Sequence, residues 1–213
     1  MILQSRVILA LLLSFAVPVL ADPVVDSLFA EAVLEDHPTG QEIHYSHLRS
    51  GLEAPGFRPL TDGSLILVKP DEGAPRLTLK MITDGRSQSL PDFPVEGGNP
   101  VLLVFLESVS RSMADLTGGS PFYIRNRIKD ALRDGGATED LDLSRGDGPL
   151  KAQALTLHPF KDDPNRARMG GFADLALRFL VSDDVPGHIL ELSATAEGYH
   201  ETIALTDAGK DRE

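Results

Sequence analysis

Two histidines, His44 and His47, are the first residues whose type and spacing suggest metal chemistry. On a helix, positions i and i+3 would share a face and could hold one ion between them. The neighbouring Ile43 and Tyr45 favour a strand instead, in which residues an odd number apart point to opposite faces. A closed metal site usually needs four ligands, and only acidic side chains lie near this pair. We therefore predict no metal site and interpret both histidines as surface or half-buried residues.

An acidic segment, 137–148, has the oxygen ligands that begin a calcium-binding loop. Asp140, Asp142 and Ser144 stand at its first, third and fifth positions. The sixth position should be glycine and is Arg145, and the twelfth should be glutamate and is a lysine. The departures exclude an EF-hand. We predict an acidic, solvated loop, with a weak calcium site as the alternative.

Motifs for covalent, redox or nucleotide chemistry are missing from the sequence. It contains no cysteine, which excludes thiol chemistry, and no Gly-x-Ser-x-Gly, Gly-x-Gly-x-x-Gly or Walker pattern. Ser120 follows two glycines, but because Pro121 comes next we interpret this serine as a helix cap. We predict a protein that is not an enzyme, with no catalytic residue and no cofactor.

A row of cations on a predicted helix, 122–133, is the strongest candidate for contact with an anion. This basic stripe consists of Arg125, Lys129 and Arg133, spaced i, i+4 and i+8, together with Arg127, and Tyr123 lies beside it. In a chain of net charge −12, a local basic face suits an anionic ligand head or an acidic partner. The alternative is a solvated face whose charges pair with acidic residues elsewhere.

The preceding helix, predicted for 101–116, is apolar on more than one face. Its main apolar stripe consists of Leu102, Phe105, Leu106, Val109, Met113 and Leu116, while Val101, Leu103 and Val104 lie off it. Such a helix is either deeply buried or lines an apolar cavity. The candidate ligand-binding residues are Leu102, Phe105, Leu106, Val109, Tyr123, Arg125, Lys129 and Arg133. We expect Leu102→Glu or Phe105→Glu to abolish ligand binding without unfolding the protein.

The elements that position these residues predict an α+β fold. A short N-terminal helix is expected over 22–35, and the two central helices begin at Asn99-Pro100 and Ser120-Pro121 and end at glycines. Alternation and short apolar runs predict strands at 41–49, 64–69, 76–83, 150–158, 173–181, 190–196 and 199–205. Loops are expected over 50–63, 90–98, 137–148 and 159–171. Short turns require antiparallel neighbours, so we predict a curved, half-barrel-like antiparallel sheet with the two central helices packed on one face.

The first 21 residues have the features of a secretory signal peptide. Arg6 precedes an apolar run over 7–17, which a proline breaks, and Ala21 stands at the expected cleavage site. The run is shorter than the ~20 apolar residues needed to span a bilayer, and without cysteine no lipid anchor can be attached. We predict cleavage after Ala21, a periplasmic location, one soluble domain over 22–206, a polar tail over 207–213, and no stable membrane anchor.

The composition limits the partners of such a domain. A net charge of −12 repels nucleic acid and anionic lipid headgroups at long range, so we predict no nucleic-acid partner. Because there are no cysteines for disulfides, stability must come from packing alone.

The order of these elements resembles the periplasmic lipoprotein-carrier superfamily, the LolA-like half-barrels. The matching pieces are the helix 25–33, the strand segment 63–70, the turn 82–85 and the apolar helix that opens at 99–103. The resemblance implies a half-barrel whose concave face is covered by helices, and a non-enzymatic carrier of an apolar or acyl-chain ligand. The alternative is a periplasmic accessory protein that binds another exported protein through the basic helix 121–133.

Overall fold

The structure, a computed structural model, describes residues 23–206 except 72, 74 and 147; the predicted signal peptide and polar tail lie outside the described residues. The helices are α1 (Pro23–Leu28), α2 (Pro100–Thr117) and α3 (Pro121–Asp134), with short 3-10 turns at Arg166–Arg168 and Gly170–Asp174. The strands are β1 (Glu42–Gly51), β2 (Leu60–Val68), β3 (Arg76–Thr83), β4 (Arg86–Ser89), β5 (Phe93–Pro94), β6 (Ala137–Arg145), β7 (Gly148–Leu157), β8 (Ala176–Val181), β9 (Ile189–Ala196) and β10 (Tyr199–Leu205).

One curved, open antiparallel sheet contains all the described strands. Its order is β4-β3-β2-β1-β10-β9-β8-β7-β6, and β5 pairs with β3. The two halves of the chain form separate meanders, β1–β4 and β6–β10, which join where β1 pairs with β10. This arrangement follows from short connections between neighbouring strands, and it confirms the predicted α+β class and half-barrel-like sheet.

The start of α2 is fixed by Asn99, which is buried. Its side-chain oxygen accepts a hydrogen bond from Val101 N at 3.0 Å, and its Nδ2 donates to the Gly187 carbonyl at 2.9 Å. A Cβ on Gly187 would lie 2.5 Å from Asn99 Nδ2, so this close approach requires glycine. The predicted cap at Asn99 is confirmed. Ser120 stands at the cap position of α3 as predicted, but in the described structure its side chain makes no capping hydrogen bond.

The core lies between the sheet and the apolar stripe of α2. Phe105 is fully buried and packs edge-to-face on Phe179 of β8, with ring centroids 6.1 Å apart. The next helix, α3, packs on α2 and buries Ile124, Ile128 and Leu132. The prediction that both helices pack on one face of the sheet is therefore confirmed.

The acidic segment 137–148 was predicted to be a loop, and this was wrong, because residues 137–145 form the edge strand β6. Every residue of β6 is exposed or half-buried, so no buried face shows as a periodic apolar pattern in its sequence. Polar pairs attach it to β7: Gln153 donates to Asp140 Oδ1 at 2.8 Å, and Lys151 contacts Asp142. Both carboxylates proposed as calcium ligands are therefore engaged with β7.

Three smaller departures from the predicted elements are local. The N-terminal helix ends at Leu28, short of the predicted 35, and beyond it Ala32 takes a left-handed φ of 59° that no helix can include. The strand predicted to begin at 64 begins at Leu60, and β4 was missed. Gly63 suggested a loop, but it pairs with His47 beside a bulge in β2, and a Cβ at Gly63 would lie 2.5 Å from the His47 carbonyl.

The buried hydroxyl of Tyr45 makes stability depend on pH in the alkaline range. Burial raises the pKa of Tyr45 to about 12, against the opposing effect of the Asn99 hydrogen bond. The unfolded chain releases this proton near its ordinary pKa of 10.0, whereas the folded chain retains it. The contribution of the neutral Tyr45 hydroxyl to stability is therefore complete below pH 10. It is lost as pH rises through 12, which lowers the free energy of unfolding by about 3 kcal/mol.

We expect urea unfolding of Tyr45→Phe between pH 8 and 12 to show a shallower alkaline loss than the wild type. The variant should still lose some stability at alkaline pH, because burial and the charge of Glu201 also raise the pKa of Tyr199. Identical pH profiles for the two proteins would contradict this assignment.

Candidate functional site

A cleft of about 790 Å³ opens between α2 and the first half of the sheet. Its apolar walls consist of Leu60, Met81, Leu90 and Phe93 on the side of the sheet and Leu103 and Val104 on α2. The volume falls within the ~300–1,000 Å³ typical of sites for small molecules, and such sites are usually apolar with few polar groups. We refer to this site below as the cleft.

The helical wall of the cleft is the face of α2 that lies off the apolar stripe. Leu103, Val104, Glu107, Ser108 and Arg111 reach the cleft because they recur at about one-turn intervals. Leu103 is 55% exposed, although it belongs to a helix whose opposite face is sealed in the core. The sequence left open an apolar cavity beside this helix, and two of the apolar residues off the stripe, Leu103 and Val104, line one. The third, Val101, is buried in the core.

Arg49 closes one end of the cleft by joining three elements. Its Nη1 donates to Ser108 Oγ on α2 at 2.8 Å. Its Nε and Nη2 donate to the Arg58 carbonyl at 3.0 and 2.8 Å, and its guanidinium lies 5.7 Å from the centre of the Phe57 ring. The strand β1, the helix α2 and the loop before β2 are thereby fixed relative to one another.

A buried cluster of His47, Tyr199 and Glu201 lies below the cleft, and His47 forms part of the cleft lining. His47 Nε2 lies 2.7 Å from Glu201 Oε1, and the two side chains are 3% and 0% exposed. The Tyr199 hydroxyl donates to the other carboxylate oxygen of Glu201. Burial raises the pKa of Tyr199, and the neighbouring Glu201 charge raises it further, so this hydroxyl remains a donor.

The interpretation of His47 as a surface or half-buried residue was wrong, because the structure buries it. His44 and His47 do lie on opposite faces of a strand as predicted, and His44 bonds the exposed Glu42 at 2.9 Å. The residue that could have indicated the burial of His47 is Glu201, a carboxylate on the same side of β10 as Tyr199 and Ile203. A charged group on an apolar face requires a buried partner.

The buried cluster places an imidazole against a carboxylate, as in a catalytic dyad, but the hydroxyl in the cluster bonds the carboxylate instead of the imidazole. Across the described part of the chain, no group of three or more His, Asp or Glu side chains is arranged to hold a metal ion. No helix among the described residues is long and apolar enough to cross a membrane.

Glu107 forms the electrostatic link between the cleft and α3. Burial alone would raise the pKa of Glu107, but hydrogen bonds from Arg111 and Arg125 outweigh it and lower this pKa below its ordinary value. Arg125 Nε and Nη2 lie 2.9 and 3.1 Å from its two oxygens. Glu107 is therefore ionised and shared between two cations.

The apolar residues predicted to bind a ligand lie mainly in the core. Leu102, Phe105 and Val109 are buried, and Leu106 is partly buried against the same core. These four residues are not part of the cleft lining, and their contact with a ligand stays a prediction.

The three arginines of the basic stripe are held by nearby carboxylates. Arg125 pairs with Glu107, while Arg127 and Arg133 both contact Asp130. Tyr123, also predicted to bind ligand, donates to Asp163 at 2.8 Å. Lys129 is exposed. The structure therefore places Tyr123, Arg125, Lys129 and Arg133 outside the cleft, and their role in binding stays a prediction.

Comparison with protein-family models and with curated protein sequences finds no match. Among solved structures, the chain is similar to Mycobacterium tuberculosis lipoprotein LppX, with 7% identity, a TM-score of 0.37, and coverage of 86% of this chain and 93% of that one. It is also similar to LprF from Mycobacterium bovis, with 8% identity, a TM-score of 0.37, and coverage of 90% and 95%. At this level of similarity, we draw no functional conclusion from either protein.

Proposed function

We propose that this protein is an exported, non-enzymatic carrier that holds the apolar part of an amphiphile or acyl chain in the cleft. The observation that carries the proposal is the apolar lining, contributed by both α2 and the sheet and left open to solvent. Leu103 is 55% exposed there. Exposed apolar surface that is concave and bordered by polar groups is typical of a binding site for an apolar ligand.

The cleft can accept a ligand without opening the core. The apolar stripe of α2 already packs against the sheet, and Phe105 and Val109 are fully buried there. A chain placed among these residues would have to displace close-packed side chains. A chain placed against Leu103 and Met81 displaces only water, which favours the cleft as the site.

The proposed carrier works outside the cytoplasm. The signal peptide predicted over 1–21 supports export, with release after Ala21 into the periplasm as a free domain. The net charge of −12 supports a soluble carrier that does not associate with nucleic acid.

We expect the purified chain from residue 22 onward to bind the neutral fluorescent probe N-phenyl-1-naphthylamine in a titration. Leu103→Gln on α2 and Met81→Gln on β3 should each weaken binding about tenfold, which corresponds to ~1.4 kcal/mol. Both residues lie in the cleft lining, so a polar amide there makes burial of the probe less favourable.

The matched control is Phe122→Gln, since Phe122 is 73% exposed on α3 and is not part of the cleft lining. It should leave probe affinity unchanged. Urea unfolding should confirm that all three variants remain folded. If the folded wild type binds no probe, or if the control weakens binding as much as Leu103→Gln, the cleft is not a carrier site.

A further inference from the structure

We propose that the cleft selects single-chain amphiphiles whose head is anionic, a carboxylate or a phosphate, and that Arg49 and Arg58 bind this head. The proposal rests on the proposed carrier function and names the ligand class of the same site. It assigns the head to residues of β1 and the following loop, instead of to the basic stripe of α3.

Within the described part of the chain, no carboxylate neutralises the charges of the two arginines. Arg49 donates only to neutral oxygens, those of the Arg58 carbonyl and the Ser108 hydroxyl. Arg58 donates through Nη1 to the Phe57 carbonyl at 3.1 Å. Among the described residues, neither guanidinium lies within salt-bridge distance of an Asp or Glu, although the chain carries 32 acidic residues.

The carboxylates near the cleft are engaged or lie on other elements. Glu107 is shared by Arg111 and Arg125, and Glu201 lies below, bonded to His47 and Tyr199. Asp84 belongs to the turn between β3 and β4 and is exposed. Glu53 lies in the 52–59 loop and is exposed, but it is not part of the cleft lining. The charged residues that β1 and this loop contribute to the lining are Arg49 and Arg58, so this end of the cleft carries a net positive charge.

The arrangement suits a ligand with one charged end. Arg49 is held in place by three hydrogen bonds and by the Phe57 ring, so little of its conformational freedom is lost on binding. Arg58 is exposed and can add a second guanidinium. Planar guanidinium groups bind carboxylate and phosphate oxygens through paired, charge-assisted hydrogen bonds. The adjoining apolar walls then receive the chain.

The test compares three ligands that share one oleoyl chain, namely oleate, oleoyl lysophosphatidic acid and neutral monoolein, by displacement of N-phenyl-1-naphthylamine. We expect at least one anionic ligand to bind the wild type about tenfold more tightly than monoolein. Whichever of oleate and oleoyl lysophosphatidic acid binds more tightly shows whether the preferred head is a carboxylate or a phosphate. Arg58→Gln should remove most of this preference, because it removes one of the two guanidinium groups that bind the anionic head. The variant keeps the Arg58 carbonyl, and so keeps the anchor of Arg49.

Arg133→Gln is the matched control, because it removes the same charge from an exposed arginine on α3 that pairs with Asp130. It should retain the full preference for the anionic ligand. Equal affinity for all three ligands would overturn this proposal and leave the carrier function intact. Loss of preference in both variants would also overturn it, because the effect would then follow net charge. A wild type that binds neither the probe nor any of the three ligands would overturn both proposals.

Discussion

His47→Ala is expected to lower the free energy of unfolding by about 3–5 kcal/mol, because it leaves the buried Glu201 carboxylate without its imidazole partner. The His47 and Glu201 side chains are 3% and 0% exposed, and their Nε2 and Oε1 atoms lie 2.7 Å apart. Without the imidazole, the Glu201 carboxylate keeps only the Tyr199 hydroxyl in a site that water does not reach. Urea unfolding at pH 7 measures the difference.

The same strand provides a matched control in His44. Its side chain is 30% exposed and pairs with Glu42 at the surface, on the opposite face of β1. Because exposed pairs contribute little, His44→Ala should change stability by less than ~1 kcal/mol. If the two alanine variants are equally stable, the buried pair does not support the fold.

A triple variant separates the electrostatic cost from the loss of packing. In His47→Leu, Tyr199→Phe, Glu201→Leu, the three residues of the buried cluster are replaced by apolar residues of related size. Ser112, which also bonds the Tyr199 hydroxyl, is kept. Such replacements of buried polar networks are often neutral or stabilising, so most of the stability lost in His47→Ala should return. A triple variant as unstable as His47→Ala would mean that the loss comes from packing.

The elements that sequence predicts well are those whose own residues specify them. Asn99-Pro100 and the glycine after Thr117 mark both ends of α2, and the predicted strands 76–83 and 199–205 match β3 and β10. In each case one face is buried, so apolar residues recur with the period of the element. β6 lacks this signal because it is an edge strand with mostly polar side chains on both faces.

The candidate site is only partly visible in the sequence. The excess of apolar residues on α2 indicated either burial or a cavity. Leu103 and Val104, which lie off the apolar stripe, line the cleft, whereas Val101 is buried in the core. No sequence pattern marked Arg49 and Arg58 as binding residues, because their place beside the cleft depends on tertiary contacts. Arg49 reaches Ser108 from 59 residues away, and its other acceptor is a backbone carbonyl that no side-chain pattern records.

The buried cluster of His47, Tyr199 and Glu201 was also only partly predictable from the sequence. Glu201 stands on the apolar side of β10, which required a buried partner, but the choice of His47 follows from the pairing of β1 with β10. That pairing joins residues 154 positions apart. Local patterns can therefore indicate that a polar group is buried, whereas the sheet order determines which group accompanies it.

Phe105→Ala is expected to lower the free energy of unfolding by about 3–5 kcal/mol. Its ring is 0% exposed and packs edge-to-face on Phe179, with an interplanar angle of 85°. Truncation leaves a cavity between α2 and β8 and removes this aromatic contact. Phe122→Ala, on an exposed residue of α3, should cost less than ~0.5 kcal/mol in the same urea titration.

This placement changes the expected result of Phe105→Glu. From the sequence, that substitution was expected to abolish binding in a folded protein, but a carboxylate without a partner in this core should unfold the chain. Circular dichroism and urea titration test this, and Phe105→Leu provides a folded comparison that should keep the wild-type affinity for N-phenyl-1-naphthylamine. If Phe105→Glu stays folded but no longer binds the probe, the ligand occupies the space between α2 and β8. The cleft lined by Leu103 and Met81 is then not the binding site.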